Sequence, residues 1–350
     1  MAVPEPFRSA LDAGRGSVSF SRFQELALYD PDAGFYATQG QAGGRRGDFI
    51  TSVEVGPLFG AVIANALDSW WDELGRPDPF IVLEAAAGVG TLARTMVAAQ
   101  PRCRDALVLH LVEISPVLRS QHPTGVTSHA ELPEIGAHVV LANELLDNLP
   151  VDLFEKTSTG WAEVRVGQGD GRLHEILAPV GPGEVQRLEA DLRLDRLAEP
   201  VPVGQRLPAP RRAERWLVRA LELLEPGGRL VAIDYFRPVE DLVGLKQSAW
   251  LRTYRNHQRG GHPLDEPGTQ DLTCDVRLPI GPREPGVSNQ AAFLRRHGID
   301  DLVAEGRRIW AEKASQPDLE AMRARSRIGE AEALLDADGL GGFFVCQWRP

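Results

Sequence analysis

The chain is poor in cysteine, in basic charge and in long apolar runs. Its 350 residues include three cysteines, Cys103, Cys274 and Cys346, far apart and without a C-x-x-C pair. That spacing argues against a zinc knuckle, an iron–sulfur site or a disulfide framework, so no metal is expected and a reducing cytoplasm fits best. Lys and Arg number 38 against 49 Asp and Glu, for a net charge of −11. Nonspecific nucleic-acid affinity rests on clustered basic charge, so no nucleic-acid partner is expected, whereas a basic peptide or a cationic ligand meets a favourable field. No stretch approaches the ~20 uninterrupted apolar residues of a membrane span. The first residues, MAVPEPFRSALDAG, carry Glu5, Arg8 and Asp12 where a signal peptide has an apolar core. The expectation is a cytoplasmic chain without membrane insertion.

With 43% hydrophobic and 25% charged residues the composition is that of a globular protein, and the length suggests about two domains at ~150 residues each. Apolar runs of strand length recur at 80–83 (FIVL), 107–114 (LVLHLVEI), 138–142 (HVVLA) and 229–236 (RLVAIDYF). Alternating with helical patterns, they predict an α/β fold with a parallel sheet covered on both faces. Helical spacing marks 20–28. Thr51-Ser52-Val53-Glu54 matches a capping box and predicts a helix reaching Trp70 and Trp71. Residues 151–179 read as a three-stranded meander, 185–197 as a charged helix, 239–286 as an ordered insertion and 343–348 (FFVCQW) as a closing strand.

Three segments can carry chemistry. After the first strand comes Glu84-Ala85-Ala86-Ala87-Gly88-Val89-Gly90, whose small residues allow a ligand close to the backbone, or simply make a tight crossover. Glu113 ends the next strand, 23 residues beyond Gly90, at the distance where an acid accepts both ribose hydroxyls of a nucleoside. It is equally placed to sit at a helix start, since Ser115-Pro116 reads as an N-cap with proline behind it. The loop Asn143-Glu144-Leu145-Leu146-Asp147-Asn148-Leu149-Pro150 follows the strand at 138–142. If the strand order reverses there, Glu144 and Asp147 both face the ligand crevice; otherwise Asp147 stops a turn and Glu144 is solvated.

In order along the chain, YDPDAGFY (29–36), GDFITSVEVGPLFG (47–60), the 84–92 turn, LVEISP, NELLDNLPVDLFEK, IDY (233–235) and HPLDEPGTQDLTCDV (262–276) resemble the MidA-type family. Its mitochondrial members are complex I assembly factors that act as protein arginine methyltransferases. The resemblance implies a class I S-adenosylmethionine (SAM) methyltransferase core, Rossmann-like, with a mostly parallel sheet, helices on both faces, an N-terminal segment and an inserted substrate-covering region. Residues 1–76 would form the cap segment, 77–236 the cofactor-binding core with the inserted meander at 151–180, and 237–350 the substrate-side insertion and closing strands. SAM would lie along Glu84, Ala86, Gly88 and Gly90, with Glu113 and Ile114 at the ribose. Asp48, Thr51 and Ser52 would border it, Thr51 doubling as the cap. Asn143 would face both cofactor and methyl group, and Glu144, with Asp147 second, would hold the guanidinium. His262 stands between proton acceptor and ordinary surface histidine.

The implied partner is a protein with an exposed arginine, a respiratory-complex subunit among the candidates, and a homodimer is compatible. Two positions depart from the pattern. Ala86 replaces a glycine, at a strain of about 1 kcal/mol if that residue has positive φ, and Phe236 replaces another, which predicts a bulkier pocket wall. They keep open the alternative of a non-catalytic SAM-binding or assembly factor; a second alternative keeps the chemistry and takes a small molecule as methyl acceptor.

Overall fold

In a computed structural model, residues 3–38, 51–255, 258–278 and 280–350 are described. Seven strands build the central sheet and are numbered in chain order: β1 Phe80–Ala85, β2 Leu107–Val112, β3 Thr127–His129, β4 Ala137–Asn143, β5 Leu224–Asp234, β6 Gly286–Asn289 and β7 Phe344–Trp348. Across the sheet they run β3-β2-β1-β4-β5-β7-β6. Strands β1 to β5 pair in parallel, and β7 is antiparallel to both β5 and β6. The sheet is therefore mixed, which corrects the expectation of a mostly parallel one. Between β6 and β7 lie the helices Gln290–Arg296, Ile299–Lys313 and Leu319–Leu335, the last two packed as a hairpin by Arg327, which donates to the Leu302 carbonyl at 3.0 Å and pairs with Glu305 at 2.8 Å.

Side chains alternate across the sheet as period-two strands require. Val82, Leu109, Leu111, Val139, Leu141 and Val231 pack under the helices Pro57–Glu73 and Thr91–Ala98. Leu83, Val112, Val140, Leu230 and Ala232 pack against Ala213, Leu217 and Ala220 of the helix Arg211–Glu222. A second sheet is antiparallel: the meander strands Asp152–Thr157, Gly160–Gly169 and Arg172–Pro179, flanked by Ser17–Ser19 and Arg206–Ala209. With the helix Phe20–Tyr29 it encloses a separate core containing Phe20, Phe23, Trp161 and Trp250. Among the described residues no helix is long and apolar enough to cross a membrane.

The capping box at Thr51 and Glu54 is formed, but its helix is only Ser52–Val55. The predicted continuation to Trp71 is interrupted because Gly56 is extended (φ 161°) and Pro57 starts a new helix, Pro57–Glu73; a residue before proline is driven out of the helical region. The helix expected at 185–197 is Pro182–Asp191, followed by a break at Arg193 (φ 53°).

The new helix start is satisfied from a distance. Buried Glu330 accepts the Leu58 N–H at 2.8 Å and the Ser326 hydroxyl at 2.6 Å. Glu330→Ala leaves that buried N–H without its acceptor and should cost about 1–3 kcal/mol, read as a lower urea midpoint at unchanged slope.

Candidate active site

The strand order reverses at β1 and β4, so the loops after these two strands open onto one crevice at the carboxyl edge of the sheet. A cavity of about 1240 Å³ lies there, larger than the ~300–1,000 Å³ of typical single-ligand pockets. Thr51, Glu84, Ala86, Gly88, Glu113, Ile114, Asn143, Glu144 and Asp147 all line it. Asp48 lies outside the described residues. Ser52 and Gly90 are next to the cavity without lining it. Ser52 is fully buried and donates its hydroxyl to Gln290 Oε1 at 2.9 Å. Gly90 takes a left-handed conformation (φ 81°) at the start of the helix Thr91–Ala98, and a Cβ there would come within 2.8 Å of Pro123.

Glu84 ends β1 with 5% exposure, and burial pushes its carboxyl up to about 8. Its Oε2 has no hydrogen-bond partner. The turn that follows holds Ala86 at φ 55° and Gly88 at φ 55°, so the glycine position that alanine occupies does require the left-handed region. Glu113, directly after β2, binds the turn: its Oε2 accepts the Gly88 N–H at 3.0 Å and its Oε1 the Ser115 N–H at 2.8 Å. Burial still holds this carboxyl above its ordinary value, against the pull of those donors. Each oxygen keeps a lone pair for a ligand hydroxyl. Ile114 stands 59% exposed beside it, an apolar surface at the rim.

After β4 the chain turns at Glu144, which has φ 51°, a conformation non-glycine residues hold only when the surroundings enforce it. Its N–H donates to the Ile233 carbonyl at 2.9 Å, and its Oε1 accepts from the Ser52 N–H at 3.3 Å and Asn143 Nδ2 at 3.2 Å. Burial first, then the nearby Asp234 charge, raises Glu144 to about 8. Asp147 is 2% exposed and held well above its ordinary value by burial and by Asp234, Glu144 and Asp271. Asp234 ends β5, accepts the Leu146 N–H at 2.7 Å and the Tyr235 N–H at 2.8 Å, and is raised by burial to about 6.

Several of these residues went unread as site residues in the sequence. Asp234 carries the same signal as Glu84 and Glu113, an acid where a parallel strand ends. Tyr29 and Tyr36 from the N-terminal segment stack at 5.5 Å and line the cavity; Tyr29 donates to the Asn148 carbonyl and Tyr36 to Asp271, each at 3.0 Å. Arg212, Arg215, Trp216 and Arg219, on one face of Arg211–Glu222, form another wall. One expectation is corrected, and one of the two readings of His262 drops out. Phe236 is buried in the core with Val276 and Leu278, its strand paired to theirs, so it does not thicken the pocket wall. His262 lines a separate cavity with Arg206 and Arg259, 4.0 Å from Glu175, and does not reach the acidic site.

The model of the family described as "Putative S-adenosyl-L-methionine-dependent methyltransferase" matches residues 62–279. The chain belongs to this family. A Drosophila melanogaster relative, "Protein arginine methyltransferase NDUFAF7 homolog, mitochondrial", is 30% identical over 297 residues, 75% of this chain but 65% of its own length, just under two thirds. The Mus musculus "Protein arginine methyltransferase NDUFAF7, mitochondrial" is 27% identical over 377 residues, 94% of this chain and 80% of its own. Among solved structures, a Burkholderia thailandensis protein bound to S-adenosyl-homocysteine has a TM-score of 0.79 at 24% identity, covering 100% of this chain and 95% of that one. A native crystal structure from the same organism has a TM-score of 0.78 at 26% identity with the same coverage.

The cavity suits the cofactor this methyltransferase family is described by. Glu84 Oε2 and Asn143 Oδ1 are buried acceptors without donors, a match for an ammonium group. Glu113 offers both oxygens for a diol, and Ile114 an apolar face for a purine.

Two measurements follow from this geometry. Ala86→Gly relieves the left-handed strain and should raise stability by about 1 kcal/mol, read from urea unfolding. Glu84 is protonated in the native state up to about 8 but ionises at 4.5 when unexcluded from water. Its contribution is thus complete below pH 4.5 and lost as pH rises toward 8. Glu84→Gln should flatten the decline of the urea midpoint across that window.

Proposed function

We propose that the chain is a SAM-dependent methyltransferase of the class I, Rossmann-like layout that methylates an arginine guanidinium of a protein substrate. The observation that carries this reading is Glu144, a strained carboxylate with one oxygen held by two N–H donors, at the floor of an acidic cavity with room for more than one ligand. The strand order, with β1 central and an antiparallel β7 between β5 and β6, supports the class I layout. The names of the curated relatives support the arginine acceptor. In this reading 77–236 is the core with its inserted meander, 237–350 the substrate-side insertion and closing strands, and 1–76 the cap segment except for the helix Pro57–Glu73, which packs on the central sheet. A respiratory-complex subunit as substrate, a homodimer and a cytoplasmic location belong to the same proposal. The three free, buried cysteines support a reducing compartment, and the named relatives are mitochondrial.

When bound, the cofactor supplies an electrophilic sulfonium methyl. Glu84 and Asn143 would hold its amino-acid end and Glu113 its ribose. Arginine enters protonated, because its pKa exceeds ~12, and its delocalised nitrogens are poor nucleophiles. The incoming cation draws Glu144 back to the carboxylate form, since an opposite charge favours ionisation. Glu144 then fixes the guanidinium by charge-assisted hydrogen bonds and concentrates a lone pair on the attacking nitrogen. Alignment of that nitrogen with the departing bond is the main catalytic contribution; positioning supplies up to ~7–11 kcal/mol in favourable cases. The proton lost from the methylated nitrogen passes to the cluster of Glu144, Asp147 and Asp234.

Calorimetric titration with SAM and S-adenosyl-homocysteine should show micromolar binding that Glu113→Ala removes. A folded chain that binds neither refutes the cofactor assignment and favours the assembly-factor reading. Glu144→Gln should keep the cofactor bound while methyl transfer falls by at least ~100-fold. Transfer is followed with methyl-labelled SAM and cell protein, the label being recovered as methylarginine after acid hydrolysis. Unchanged transfer by Glu144→Gln refutes its role; label recovered only in small molecules refutes the protein acceptor.

A further inference from the structure

The turn at 86–90 is gripped by side chains that lie outside it. His122 Nε2 is 3.0 Å from the Gly88 carbonyl oxygen, and His122 Nδ1 is 2.7 Å from Ser128 Oγ. A carbonyl only accepts, so Nε2 carries the proton and donates to Gly88, while the Ser128 hydroxyl donates to Nδ1 and sets the ring. Arg94 Nη1 donates to the Val89 carbonyl at 2.7 Å, and its Nη2 reaches the Gln121 carbonyl beside His122. On its other side Gly88 gives its N–H to Glu113 at 3.0 Å. The two polar backbone groups of Gly88 are thus bound by residues 25 and 34 positions away. Neither His122 nor Arg94 lines the cavity.

This grip coincides with strain. Ala86, two residues before Gly88, sits at φ 55°, and left-handed alanine persists only where the surroundings over-determine it. A free turn would relax Ala86 toward negative φ, rotate the following peptides and take the Gly88 N–H away from Glu113. We propose that His122 is a positioning residue that holds the alanine-containing turn in its cofactor-binding form, supplying from outside the constraint that a glycine at position 86 would make unnecessary. The proposal rests on the cavity being the SAM site. It makes His122 and Ala86 energetically coupled although they occupy different segments, and it accounts for a cofactor turn that works without its first glycine.

The test is a double-mutant cycle read by calorimetric titration with S-adenosyl-homocysteine on wild type, His122→Ala, Ala86→Gly and the double variant. His122→Ala should weaken binding about tenfold beside Ala86 and no more than about threefold beside glycine. His122→Gln, whose amide can donate to Gly88 and accept from Ser128, should bind within about threefold of wild type. A merely structural histidine would lower the urea midpoint and affect both backgrounds alike. An equal loss in both backgrounds, or no loss in either, overturns the proposal. If His122→Ala does not fold, weak binding by a folded His122→Gln overturns it as well. Absence of binding by wild type, or binding that survives Glu113→Ala, instead refutes the cofactor site on which the proposal stands.

Discussion

Removing a carboxylate from water costs several kcal/mol unless donors replace the lost hydration, and the carboxyl edge of the central sheet is built around that cost. Acidic or amide side chains stand where β1, β2, β4 and β5 end: Glu84, Glu113, Asn143 and Asp234. Their donors differ. Asp234 receives two short N–H bonds and is raised to about 6, whereas Glu144, held by two longer ones, and Glu84, with one oxygen unpartnered, reach about 8. Glu84 and Asp147, each with an oxygen that lacks a donor, both line the cavity. A cationic guest would supply the missing donors and restore the charges, so the cost of burying these groups becomes selectivity for positive ligands.

The same edge concentrates backbone strain. Ala86 and Glu144 both hold left-handed conformations, at φ 55° and 51°, and both line the cavity. Each is fastened by bonds from distant elements: the Ala86 turn through Gly88 to Glu113 and His122, Glu144 through its N–H to Ile233 and its carboxylate to Ser52. Such fastening limits how far the crevice can relax. It suits a reaction whose rate depends on alignment more than on proton transfer.

The N-terminal segment and the meander share a second core, and Tyr29 and Tyr36, packed against it, line the cavity together with the acids. Their hydroxyls are committed to the Asn148 carbonyl and to Asp271, which leaves the stacked rings as an apolar wall. A planar guanidinium between such rings and a carboxylate floor is favoured both by stacking and by charge.

The sequence by itself determined the elements and the acids. Continuous apolar runs of strand length mark β1, β2, β4, β5 and β7, and Glu84, Glu113 and Glu144 are visible because they stand where such runs stop. The distance between Gly90 and Glu113 is set by one crossover helix, so it too can be read in one dimension. Thr127–His129 and Gly286–Asn289 are too short and too polar to show a period, and the antiparallel direction of β7 leaves no mark on β7 itself. Only the tertiary structure decided that Asp234 joins the acidic cluster, that Phe236 turns into the core, and that Tyr29 and Tyr36 close the cavity. Hydrogen bonds and desolvation depend on which distant segments share a volume. His122 meets Gly88 across 34 residues for that reason, and no local pattern encodes the meeting.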